Sequence, residues 1–165
     1  QYLIFKPSMI ITALLLCFYW HKNNVLINHF QKTDSKKNNF MIFGILSAVF
    51  LMVHSILLGL ETDIKIFKFL RRVVLVSFII FEIIAQSLLV LNFYKLKTKL
   101  KDFFNPNILK LKILLVSLLI FVAIISVPLL IVNGNIHFKH GLEWNYFIGV
   151  ILFYLLTSFF WKKKN

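Results

Sequence analysis

The sequence predicts an all-α polytopic membrane protein, a bundle of five transmembrane helices forming a single domain over residues 1–165. Three observations carry this. The hydrophobic fraction is 59%, against about 45–50% in an average soluble domain. Charged residues make up only 15%, where about 25% is usual, and the mean hydropathy is +0.83. The apolar residues are also gathered into five stretches, each near the roughly 20 helical residues needed to cross a bilayer core.

The first stretch runs over residues 2–20 and is broken only by Lys6-Pro7. Proline is tolerated in a first turn, where its missing N–H has no helical partner to lose. The second covers 40–60, the third 73–94, the fourth 111–132 with Pro128 in its last turns, and the fifth 144–161. Tyr19, Trp20, Phe40, Tyr94, Trp144, Tyr146 and Trp161 mark their ends, and Trp and Tyr favour the headgroup zone. Runs such as ILLVSLLIFVAIISVPLLIV are continuously apolar. A membrane β-barrel would alternate instead over about ten residues. The connections are too short for a further domain; Val25–Phe30 reads as a short interfacial helix, and Asn105-Pro106-Asn107 and Asn133-Gly134-Asn135 read as turns. The chain begins at Gln1 without an initiator methionine, which leaves open a processed product or a missing first helix.

Lys plus Arg total 19 against 6 Asp plus Glu, a net charge of +13. Thirteen of the 19 fall in or beside the first and third connections and after the last stretch. The positive-inside rule puts that side in the cytoplasm, with the N-terminus outside, the C-terminus inside, and the inner (plasma) membrane as location in a bacterium. Arg71-Arg72 is a local exception. Nucleic-acid binding is excluded for want of a soluble basic domain. The lysines of KLKTKLK (Lys95, Lys97, Lys99 and Lys101) are candidates for anionic headgroups, and equally read as topology signal and headgroup solvation. The single cysteine, Cys17, excludes an internal disulfide and a multi-cysteine metal site.

Glu82 is the leading candidate for chemistry, about ten residues into the third stretch. An acid at that depth is expensive and usually faces a bundle interior or a wet cavity. Gln86 is one turn further on the same face, whereas Arg71 lies about 16 Å back along the axis. The pair reads either as a proton or ligand site or as an interhelical packing contact. A zinc site from His54, His137, His140 and Glu143 has suitable ligand types but no recognisable motif; otherwise no cofactor is expected. Gly44, Ala48, Ser55 and Gly59, with Met52 between, form a small-residue stripe for close helix packing, within the chain or against a partner membrane protein. The phosphate-binding, nucleophile-elbow and dinucleotide motifs are all missing from the sequence.

Glu143-Trp144 opens the fifth stretch and Phe153-Tyr154-Leu155-Leu156-Thr157 lies toward its end, while FGILS at 43–47 follows a Lys/Asn-rich loop. In these features the last four stretches resemble the DRAM-like family of eukaryotic endomembrane proteins, which includes a GPI-anchor-remodelling factor. That family is commonly six-helical with both termini cytoplasmic, and this chain has five stretches and no paired cysteines in its outer loops. The resemblance implies a polytopic fold and transfers no catalytic residue. The expectation is a small non-enzymatic scaffold or accessory factor, in lipid handling. The alternative is a membrane-embedded enzyme or proton-coupled carrier using Glu82, with or without the outer-face metal.

Overall fold

The computed structural model describes residues 2–31, 39–58, 65–100, 103–132 and 136–162; the side chains at 2–3, 31, 65, 68, 126–132, 136–140 and 143 lie outside that description. The fold is all-α. Five helices follow in chain order: α1 (Tyr2–Gln31), α2 (Asn39–Leu57), α3 (Lys65–Lys95), α4 (Pro106–Val132) and α5 (Ile136–Ser158). Four contain stretches long and apolar enough to cross a membrane: Ile4–Phe30, Asn39–Leu57, Phe69–Lys95 and Pro106–Ile125. In α5 the described apolar stretch is the shorter Trp144–Ser158, because its first turns carry His137, Lys139, His140 and Glu143.

Four helices run well beyond the apolar stretches that predict them, α5 by starting at Ile136. α1 continues through His21-Lys22-Asn23-Asn24 to Gln31, so Val25–Phe30 is its last part and not a separate interfacial helix. That polar stretch holds neither Gly nor Pro, and Asn23 Nδ2 donates back to the Tyr19 carbonyl at 2.9 Å. α3 starts at Lys65, eight residues before Val73, through a basic stretch of good helix formers. α4 begins at Pro106, whose fixed φ suits the first helical position. Asn105 caps it, its Oδ1 accepting from the Asn107 N–H at 3.0 Å.

The chain divides into two compact units, Gln1–Ala85 and Gln86–Asn165. In the first, α1 and α2 pack as an antiparallel hairpin. The buried residues of α1 are Ala13, Leu16, Trp20, Asn23 and Ile27, a three-four spacing that keeps one seam toward a partner helix. Gly44 of α2 faces Trp20: a Cβ there would fall inside the indole ring. Three turns along the same stripe, Ser55 Oγ donates to the Lys6 carbonyl at 3.1 Å, and Ala48 and Leu51 are buried between them. The neighbouring stripe of α2 meets α3, where Phe43 and Phe50 both stack on Phe81, with ring centroids 6.0 and 5.4 Å apart.

The second unit repeats this device. α4 and α5 pack antiparallel, with Leu109, Lys112, Val116 and Leu119 buried along α4 and Tyr146, Val150, Phe153 and Phe160 along the α5 side. Gly149 admits Leu119, whose Cδ2 would lie 2.5 Å from a Cβ at that position. Beyond α5 the chain folds onto the turn before α4: Asn105 N–H donates to the Phe160 carbonyl at 2.9 Å and Lys162 N–H to the Phe103 carbonyl at 3.0 Å. Phe104 stacks on Phe160 with centroids 5.0 Å apart, and Phe93 meets the same ring at 4.9 Å.

We predict a ranking among three helical glycines. Gly44→Ala forces a rigid indole aside and costs about 1–3 kcal/mol. Gly149→Ala meets only the rotatable end of Leu119 and costs under about 1 kcal/mol. Gly141→Ala enters open space and stabilises its helix by up to about 1 kcal/mol. Thermal unfolding in detergent checks the order; equal melting of the Gly44 and Gly141 variants refutes the α1–α2 seam.

Candidate functional site

In each unit a polar side-chain pair joins neighbouring helices. In the first unit, Glu82 of α3 is fully buried. Ser47 of α2, also fully buried, donates from Oγ to Glu82 Oε2 at 2.5 Å. The same hydroxyl lies 2.8 Å from the Gly44 carbonyl one turn back on its own helix. A serine hydroxyl carries one proton and two lone pairs. That proton is shared between a carboxyl on the next helix and a carbonyl on its own. Ser47 reaches Glu82 because Phe43, Ser47 and Phe50 recur at four and three residues, one face of α2, and Phe81 holds that face. Gln86, fully buried, stands one turn beyond Glu82 on α3 and is described with the second unit.

In the second unit, Lys112 of α4 is 1% exposed. Its Nζ donates to Thr157 Oγ1 at 2.6 Å, and the Thr157 hydroxyl in turn donates to the Phe153 carbonyl at 3.1 Å. Nζ also lies 4.2 Å from the Phe153 ring centroid and 5.1 Å from that of Phe160. Ring faces of this kind attract positive charge, by about 2 kcal/mol where water is excluded. Sequence reading counted Lys112 with the topology lysines and missed this role. The available signal was its place in the Leu109, Lys112, Val116, Leu119 spacing, a lysine at a seam position.

The remaining candidates are placed as follows. His54 is buried on α2, while Gly44, Ala48 and Ser55 share its buried side. Gly59 and Lys101 lie outside the described residues, as do the side chains of His137, His140 and Glu143. Their backbone positions 137, 140 and 143 are helical, since α5 begins at Ile136. Among the described residues no three His, Cys, Asp or Glu side chains gather as metal ligands would. Lys95, Lys97 and Lys99 are exposed, whereas Leu96 and Leu100 beside them are buried. The described part of KLKTKLK thus turns its lysines outward around two apolar anchors.

Chemically, the arrangement offers a carboxyl–hydroxyl pair and an amine–hydroxyl pair, each spanning one helix–helix seam. These are the contacts by which polar groups hold apolar helices together. Comparison with protein-family models, curated proteins and solved structures finds no match to this chain. The class defined by the fold itself is a helical protein with four membrane-length apolar helices.

Two comparisons test which partner matters. Glu82→Gln retains hydrogen bonding to Ser47 and changes stability by under about 1 kcal/mol, whereas Ser47→Ala strips a buried acid of this partner and costs about 1–3 kcal/mol. Thr157→Val removes the oxygen that receives Lys112 and costs about 1–3 kcal/mol. Lys112→Met keeps the packed stem without the polar head and is close to neutral. Unfolding of the four variants in one detergent gives both orders.

Proposed function

We propose that the chain is a multi-pass integral membrane protein acting as a non-enzymatic scaffold or accessory factor in lipid handling. The observation that carries this reading is the pairing of its buried polar groups. Ser47 with Glu82, Ser55 with the Lys6 carbonyl, and Lys112 with Thr157 each join two adjacent helices. An enzyme or carrier requires such groups to converge on a space that a substrate enters. The outer faces support it too. Ile4, Leu14, Leu15, Phe18 and Ile56 are all more than half exposed, a surface that suits acyl chains or a partner membrane protein. The likeness of the α2 and α5 motifs to the DRAM-like family favours the same role.

The orientation we propose has the N-terminal end outside and the lysine-rich ends in the cytoplasm, with all five helices crossing; in a bacterium the membrane is the inner one. Its support is the lysine asymmetry, together with the backbone bonds that tie Phe160 and Lys162 to the turn before α4. Those bonds keep Lys110 and Lys162 at one end of the second unit.

A second reading, a proton-coupled carrier built on Glu82, is favoured by the full burial of that side chain in α3. Reconstitution into vesicles loaded with a pH-sensitive dye separates the two. The scaffold reading expects proton flux at the level of empty vesicles for wild type and Glu82→Gln alike. Flux in wild type that Glu82→Gln abolishes establishes the carrier instead.

Orientation has its own test in a Cys17→Ser background. Lys99→Cys should react with a membrane-impermeant maleimide only after permeabilisation, and Gly141→Cys should react in intact cells. The opposite pattern reverses the threading.

A further inference from the structure

We propose that the second unit holds a specific site for one anionic phospholipid, in a cleft between the end of α3 and the start of α4. The site rests on the lipid-handling reading and gives it a place and a headgroup charge. The cleft encloses about 280 Å³. Phe104, Pro106, Leu109 and Ile113 form its carbon walls, while Lys97, Thr98 and Lys110 stand among its lining residues. None of the described residues lining it is acidic. Lys97 Nζ lies 4.7 Å from the ring centroid of Tyr94, a further lining residue, a contact that places its ammonium at the rim of the cleft. Phe104 is 1% exposed and is fixed from behind by its stack on Phe160. The cleft is therefore a built feature of the fold.

Its position selects the ligand. One apolar stretch ends at Lys95 and the next begins at Pro106, so the cleft opens at the depth where hydrocarbon gives way to headgroups. Two lysines and a threonine hydroxyl match a phosphodiester. The carbon walls match glycerol and the first carbons of an acyl chain. A volume near 280 Å³ is too small for a whole lipid, so the chains must continue elsewhere. From Lys110 the same face of α4 continues through Leu114, Phe121 and Ile124 by helical spacing. All three are more than 60% exposed, at 64%, 62% and 66%. That strip gives an acyl chain an apolar path from the cleft into the bilayer. Basic clefts between membrane helices on the lysine-rich side are a recurring mode of anionic lipid recognition.

The test uses the full chain purified in detergent, with dioleoylphosphatidylglycerol and dioleoylphosphatidylcholine as probes and native mass spectrometry as readout. Wild type should keep one phosphatidylglycerol bound and prefer it over phosphatidylcholine. The double variant Lys97→Gln/Lys110→Gln should bind phosphatidylglycerol roughly tenfold more weakly. The double variant Lys99→Gln/Lys162→Gln removes the same charge from exposed lysines that do not line the cleft, and should lose less than about twofold. Ile113→Trp, which fills the cleft with both lysines intact, should also abolish the bound lipid. Helicity by circular dichroism certifies each variant, and the lysine pair decides alone where Ile113→Trp fails to fold.

Equal losses in the two lysine pairs, or equal binding of the two lipids, overturn the site in favour of diffuse surface charge. Displacement of the lipid by inorganic phosphate overturns it in favour of a free-phosphate site. These outcomes bear on the site alone. The lipid-handling reading itself fails separately, if the chain stays dissolved and helical without detergent.

Discussion

Lipid offers a polypeptide no hydrogen-bond partners, and in the membrane protein proposed above that shortage governs most of the structure. Each spanning segment must satisfy its own backbone, so it is a helix. Polar side chains at exposed positions obey the same rule. Ser8 donates to Ile4, Thr12 to Ser8, Asn145 to Gly141 and Ser158 to Leu155, each hydroxyl or amide folding back onto a carbonyl three or four residues earlier in its own helix. A side chain that bonds to its own helix needs nothing from its surroundings. Among the described residues Ser47, Ser55 and Lys112, each buried, reach across to another helix.

With every backbone group satisfied locally, helices have little to attract them to one another beyond close contact. Both units answer with the same combination. A glycine on one helix receives a bulky apolar side chain of its neighbour, Trp20 at Gly44 and Leu119 at Gly149. A buried polar bond then fixes register across a seam, Ser47 with Glu82 and Thr157 with Lys112. The apolar contact sets how near the helices come, and the polar bond sets which residues stand opposite. The rings of Phe43, Phe50 and Phe81 in the first unit, and of Phe93, Phe104 and Phe160 in the second, fill the space around these polar contacts.

The helices were legible in the sequence because hydrophobic length is a strong signal. Their ends were less so. His21 to Asn24 looks like the close of a span, yet without glycine or proline nothing stops the helix there, and α1 runs to Gln31. The helix seams were hardest to read. In a soluble helix the buried stripe stands out against polar neighbours, but here exposed Leu114 and Phe121 are as apolar as buried Val116 and Leu119. Small residues at Gly44, Ala48 and Ser55 therefore gave a better guide to contact than hydrophobicity did. Glu82 was conspicuous as an acid in an apolar run. Its partner was not, because a serine in such a run is ordinary and Ser47 lies 35 residues away in sequence. Lys112 was hidden in the opposite way, by resembling the many lysines that merely end a helix.

The pairing of Ser47 with Glu82 also bears on how the chain is made. Synthesis runs from the N-terminus, so α2 is made before α3. The segment that carries the costly acid thus follows the hydroxyl that receives it, and birth order supplies the assembly with its direction.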